Sequence, residues 1–294
     1  MTHKSGGAGI SFCRPFILGE NKMDTQIQTT NSATDLKSRI TEHIQELAQA
    51  TDAARVSEEM QRYLDMSAKF HQYSPFNIWL ILMEKPTATV VAGFHKWISM
   101  KRFVRKGEHG IAILAPIFAP GINEDGEQIE KLVGFKTVYV FDISQTEGQP
   151  LPEPPNWKST EQNALLRERL LEFAANKGIV VNVKQLPGET QGVSLGGTII
   201  LSPQAGTKTL IHEIAHELLH HKQHEVTSQT IRELEAEAVA YVVGKHFGLD
   251  GLSSPNYVAL YDVTAEMIFG HMERIRDIAT AIIRGLEKKS GPEF

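Results

Sequence analysis

The chain has 294 residues, of which 41% are hydrophobic and 22% charged, ordinary proportions for a globular protein long enough to hold two domains. A formal net charge of −5 argues against a general nucleic-acid coat protein but leaves room for a local basic patch. The single cysteine, Cys13, excludes a disulfide framework and a cysteine-based zinc site, so a reducing, cytoplasmic setting is expected; no apolar run is long enough to predict a membrane span.

Residues 1–34 are expected to form a disordered leader. Their one apolar stretch, Ile10 to Leu18, is interrupted by Ser11, Cys13, Arg14 and Pro15 and lacks the hydrophobic region of a signal peptide. Met23 offers an alternative start. Helical patterning begins near Asp35, where Ile40, Ile44, Leu47 and Ala48 keep one apolar stripe. Further helices are predicted from about Ala54 to Phe70 and from about Pro75 to Met83. Asn77 in the latter suits a helix cap or a DNA contact.

The segment His95 to Lys106 carries Lys96, Lys101, Arg102, Arg105 and Lys106, interleaved with Trp97 and Phe103. Cations for phosphates and flat rings for bases are what a single-stranded nucleic-acid surface needs. The same pattern also serves a solvated edge around a core tryptophan. Ile111 to Phe118 and Lys136 to Ile143 read as two strands of one sheet, separated by the turn-rich Pro120 to Gly126.

Four prolines between Gly148 and Pro155 mark a semi-rigid linker over 148–158, which divides a domain at 35–147 from one at 159–290. Beyond it, Ser159 and Gln162 stand at capping-box spacing before a helix from Thr160 to Ala175. Strands are predicted at Ile179 to Val183 and Gly197 to Leu201, and helices at about 207–222, 228–247 and 264–288. The fold class is α+β in two domains.

The helix over 207–222 contains His212-Glu213-Ile214-Ala215-His216, an HExxH motif. Residues four apart share a helical face, so the two imidazoles converge and suit Zn²⁺, with Glu213 placed to take a proton from a metal-activated water. A catalytic zinc needs a third protein ligand. The acidic helix Glu233 to Glu237 supplies candidates: Glu237 is the choice for the ligand, and Glu233, one turn earlier, for orienting a histidine. His220 continues the row from His216 as a competing ligand, and Tyr241 is a candidate oxyanion donor or a core residue. The strand Gly197 to Leu201, if at a sheet edge, would pair with an extended peptide.

TLIHEIAHELLHH followed by ELEAEAVAYVV, across about 190–247, resembles the ImmA/IrrE-type metallopeptidases. That resemblance implies a zincin-like domain with zinc on His212, His216 and Glu237, Glu213 as base, and a repressor-like protein as substrate. VAGFHKWISMKRFVRKGEHGIAILAPI, then KTVYVFDISQTEGQPLP, with YSPFNIWLI upstream, resembles the N-terminal domain of ArdC-type antirestriction proteins across about 35–150. It implies single-stranded-DNA binding and protection of incoming plasmid DNA. Lys96, Lys101, Arg102, Arg105 and Lys106 would be the DNA-contacting cations and Trp97 the stacking ring. Met100-Lys101 stands where a Leu-Gly pair is common, and His109 where a lysine is frequent. Three functions compete: an ArdC-like mobile-element protein with a zinc peptidase domain, an ImmA/IrrE-like repressor protease, and a DNA-binding shield with an inactive zinc domain.

Overall fold

The structure, a computed structural model, describes residues 32–50, 53–122, 127–151, 160–220, 228–252 and 264–287. The expected leader falls outside them except for its last three residues, as do Ser159 and most of the proline-rich segment. Three helices come first. In α1 (Ala33–Gln49), Ser32 and Asp35 cap each other's backbone N–H at 3.1 Å, and Leu36, Ile40, Ile44 and Leu47 form the buried stripe. α2 (Ala53–Lys69) buries Val56, Met60, Tyr63 and Leu64. α3 (Pro75–Glu84) starts from the Ser74 cap with proline in its first turn and is buried from Asn77 to Leu82.

A mixed region follows: β1 (Val91–Gly93), α4 (Phe94–Ser99), β2 (Arg102–Val104), β3 (Ile111–Ile122), β4 (Gln128–Asp142), one 3₁₀ turn and β5 (Thr146–Gly148). β3 and β4 make a long antiparallel hairpin, with β1 on the far side of β4. The hairpin runs further than the sequence suggests because β3 is an edge strand. There, Pro116 and Pro120 remove no hydrogen bond from a central ladder. Its root is buried at Ile111, Ile113 and Leu114, whereas Phe118 and Ile122, beyond a register shift at Ile117/Phe118, are exposed. β2 and β5 pair separately, Arg102 opposite Gly148.

After α5 (Thr160–Asn176) come β6 (Val180–Val183), β7 (Gly192–Ser194) and β8 (Thr198–Leu201), in spatial order β6-β8-β7. Three helices close the chain: α6 (Thr207–Leu219), α7 (Gln229–His246) and α8 (Ala265–Glu287). Helices on both sides of the proline-rich segment share one hydrophobic core: α1 packs on α8, and α2 on α7. Trp79 of α3 illustrates this, stacking on Tyr63 at 5.0 Å and donating its indole N–H to Met272 Sδ of α8 at 3.5 Å. The prolines therefore separate stretches of sequence that contribute to one compact unit.

Asn77 neither caps α3 nor faces solvent. Its amide donates to Leu114 O at 2.9 Å and accepts from Leu114 N at 2.8 Å, pinning β3 to α3. Replacing it leaves a buried backbone donor and acceptor unpaired. Asn77→Ala is expected to cost about 2–4 kcal/mol in urea unfolding; a loss within error of zero would show that the pair is dispensable.

Candidate metal centre

The rotation of α6 is set by Leu210, Ile211, Ile214 and Ala215, which are fully buried. That fixes His212 and His216, one turn apart, toward α7, whose alanines 236, 238 and 240 are also fully buried. His212 Nε2 and His216 Nε2 lie 3.0 Å apart, and each is 3.4 Å from Glu233 Oε2. A tetrahedral cation with ligand bonds of about 2.0–2.2 Å separates its donors by about 3.3–3.6 Å. The three atoms thus have nearly the spacing of one face of such a coordination sphere.

The remaining ring nitrogens are occupied. His212 Nδ1 is 3.3 Å from Glu237 Oε2, His216 Nδ1 is 3.1 Å from His220 Nδ1, and His220 Nε2 is 2.9 Å from Glu235 Oε2. Ionised carboxylates only accept, so His212 Nδ1 and His220 Nε2 carry protons. A neutral His220 then offers a bare Nδ1 that accepts from His216 Nδ1. Both motif histidines are held with Nδ1 protonated and Nε2 bare, the tautomer of a metal-binding imidazole. Two bare nitrogens and a carboxylate oxygen converge with no donor among them, an arrangement that calls for a cation or a shared proton.

The electrostatics agree. Burial and the neighbouring His212 hold His216 down at about 4. Burial also opposes a charge on His212, but the hydrogen bond to Glu237 and the charges of Glu213, Glu237 and Glu233 outweigh it and raise its pKa. Beyond the two Nδ1 protons, the pair therefore carries at most one further proton, shared at the Nε2 atoms, and that is the one a dication would displace. Glu235 is completely buried, which disfavours its charge; hydrogen bonds from His220 and His271 (2.7 Å) and the Arg274 charge nonetheless hold it at about 2. Glu213 is also buried, and burial, with Glu233 and Glu217 nearby, pushes its carboxyl up against the pull of His212. It packs on β7 at Gly192, where an added Cβ would lie 2.5 Å from Glu213 Oε1 and displace that carboxylate.

Several expectations need correcting. Glu233, and not Glu237, lies beside the two Nε2 atoms. Lys208, one turn before His212, pairs with Glu237 and holds it against His212 Nδ1, leaving Glu233 beside both Nε2 atoms. His220 orients His216 in place of competing with it. Tyr241 donates to Asp65 Oδ1 of α2 at 2.7 Å and accepts from Gln61, so it ties α7 to α2 and is no oxyanion donor. The strand expected to receive a peptide, β8, is central; the edge nearest the motif belongs to β7.

Two carboxylates escaped the sequence reading. Glu235 is one. The other is Glu217, which accepts from Ser194 Oγ (2.8 Å) and from the backbone N–H of Leu195 (3.1 Å), Gly196 (3.0 Å) and Gly197 (2.6 Å), clamping the β7–β8 turn to α6. Both were signalled: Glu217 continues the apolar row Leu210, Ile214, and Glu235 the row Val239, Val242. A carboxylate on a buried row must have partners.

The basic segment divides into core and surface. Trp97 is fully buried and donates to Phe141 O at 2.9 Å, so it is no stacking platform. Arg102 is buried too, bonded to Thr146 Oγ1 (2.9 Å), Thr146 O (3.2 Å) and Gln149 O, which removes it from the DNA-contact set. Arg105 is exposed but bound to Glu108 (2.9 Å) and Ser144 O. Lys96, Lys101 and Lys106 are exposed, and the exposed rings are Phe94 and Phe103, at 47% and 54%. Lys101 has φ 58°, a left-handed conformation that favours glycine.

Residues 33–141 match the family profile of the N-terminal domain of anti-restriction factor ArdC. An uncharacterized Bacillus anthracis protein, pXO2-81, is 26% identical over 285 residues, covering 79% of this chain and 48% of that protein. The chain thus spans about half the length of this curated relative. Two crystal structures of the antirestriction protein ArdC from plasmid R388 also align. The metal-free form has a TM-score of 0.46 at 18% identity, covering 74% of this chain and 86% of that one. The Mn(II)-bound form has a TM-score of 0.46 at 15% identity, covering 84% and 98%. Among the described residues no helix is long and apolar enough to cross a membrane.

Substitutions separate the two carboxylates. Glu233→Ala is expected to abolish zinc retention through desalting, whereas Glu237→Gln should weaken affinity about 10–100-fold. The opposite order would return the ligand role to Glu237.

Proposed function

We propose that this chain is an ArdC-like protein of antirestriction or mobile-element function, which binds single-stranded DNA through its N-terminal region and carries a zinc metallopeptidase centre on α6 and α7. The observation that carries the catalytic half is the convergence of His212 Nε2, His216 Nε2 and Glu233 Oε2 beside a buried Glu213. The antirestriction half rests on the profile match over 33–141. The resemblance of TLIHEIAHELLHH to the ImmA/IrrE type supports peptide hydrolysis as the chemistry.

In this reading His212, His216 and Glu233 hold the cation; two nitrogens and one oxygen suit Zn²⁺. A bound zinc supplies Lewis-acid polarisation of the scissile carbonyl and acidifies water. Glu213 takes the proton of the attacking water and passes it to the leaving nitrogen, a task helped by burial, which raises its pKa. Glu237 and the Glu235–His220 pair keep the imidazoles in register throughout. β7, which pairs only with β8 among the described residues, offers the edge along which an extended peptide would lie. For DNA, Lys96, Lys101 and Lys106 provide charge, and Phe94 and Phe103 provide rings.

With Zn²⁺ supplied, the full chain is expected to cleave a fluorogenic peptide library, and Glu213→Gln to lower kcat/KM by about 10²–10⁴-fold while zinc content holds. Equal rates for the two proteins would remove Glu213 from the chemistry. The triple change Lys96→Glu, Lys101→Glu and Lys106→Glu should flatten the salt dependence of oligonucleotide binding by a log–log slope of about 2. An unchanged slope would place the DNA elsewhere.

A further inference from the structure

A second constellation lies at the other end of α7, about 20 Å along the helix axis from Glu233. His246 ends α7, Glu287 ends α8, and His71 stands in the turn between α2 and α3. One potential ligand atom from each lies within 4.8 Å of the other two. His246 Nδ1 is 2.9 Å from Ala68 O, a carbonyl that can only accept, so this nitrogen carries the proton and leaves Nε2 bare in the neutral ring. Nε2 faces Glu287 Oε1 at 3.2 Å.

His71 is 4% exposed, and its Nδ1 is buried with no hydrogen-bond partner. Its ring meets that of His246 edge to face, with centroids 5.0 Å apart. Its backbone is held in place by Thr280, whose hydroxyl donates to His71 O at 2.6 Å. Burial favours a neutral His71, and a neutral imidazole keeps a lone pair to offer. A buried imidazole nitrogen without a partner is a cost that calls for a reason. A plain ion pair between His246 and Glu287 would leave His71 unexplained.

We infer that His71, His246 and Glu287 form a second site for a transition-metal dication, separate from the site on α6 and α7. Two imidazoles and one carboxylate suit Zn²⁺ or a similar first-row ion and are a poor set for Mg²⁺ or Ca²⁺. The site draws one ligand from the segment matching the ArdC N-terminal profile and two from beyond it. An ion there clasps the ends of α7 and α8 to the α2–α3 turn. Its role is structural: binding to the folded state alone stabilises that state by mass action.

The test uses the full chain with His212→Ala and His216→Ala in every arm, so the first site contributes nothing and its failure cannot imitate this one. After stripping with chelator, exposure to Zn²⁺ and desalting, this protein is expected to retain about one zinc per chain. Saturating Zn²⁺ should raise its Tm by about 3 °C or more. Adding Glu287→Gln, or separately His246→Gln, should abolish both the retained zinc and the shift, with the far-UV circular dichroism spectrum preserved. Absence of zinc retention in the His212→Ala/His216→Ala protein overturns the site. So does zinc that survives both further substitutions. A metal-free Tm that falls with Glu287→Gln, with no response to Zn²⁺ beforehand, would assign the pair to a simple histidine–carboxylate bridge and also overturn it.

Discussion

The contact on which the rest depends is made by the Nδ1 nitrogens of the two motif histidines. His212 Nδ1 is engaged by Glu237 and His216 Nδ1 by His220, which is itself held by the buried Glu235. Each partner fixes a ring plane and a tautomer, and together they turn two Nε2 lone pairs toward the Glu233 carboxylate. Without those partners the HExxH spacing would bring two imidazoles to one face of α6 but leave their nitrogens free to choose water or each other. Charge makes the arrangement durable. Glu235 stays ionised although completely buried, because His220, His271 and Arg274 surround it, so the chain begins from a fixed negative charge on α7.

Holding α7 in place is correspondingly important, and both halves of the sequence contribute. α2 grips it through Tyr241, bonded to Asp65 and Gln61, and α8 supplies His271 and Arg274 to Glu235. On the opposite side of α6, Glu217 locks the β7–β8 turn by taking three consecutive backbone N–H groups, which places Gly192 against Glu213. A carboxylate satisfied in this way behaves as a rigid strut, since moving it would strand several buried donors at once. Through the Asp65–Tyr241 contact with α7, α2 buttresses the candidate metal centre.

Much of this was legible in the sequence because its signals are local. Helical periodicity located α1, α2, α3, α5, α6, α7 and α8 to within a few residues, and the arithmetic of i and i+4 put the His212 and His216 rings side by side. The short strands β1, β2, β5 and β7 were not legible. Three residues carry no period, and such strands exist only because a partner such as β4 or β8 lies alongside. The different placements of Glu233 and Glu237 were not legible for a related reason. They share a face, so spacing cannot rank them; Lys208, about 30 positions earlier, decides by taking Glu237. Composition likewise marked the His95–Lys106 segment as basic and aromatic but could not say which side chains point inward. Trp97 and Arg102 do, because the Phe141 carbonyl and the β5 backbone provide the partners that a buried indole and guanidinium require.

The most direct measurement of the central claim is the protonation pattern of the imidazoles in the zinc-loaded chain, read from long-range ¹H–¹⁵N correlation spectra of ¹⁵N-histidine-labelled protein. The predicted result is Nε2 coordination for both His212 and His216, each with a proton on Nδ1, and His220 with its proton on Nε2. Coordination through Nδ1 at either motif histidine, or spectra that do not respond to zinc, would contradict the account.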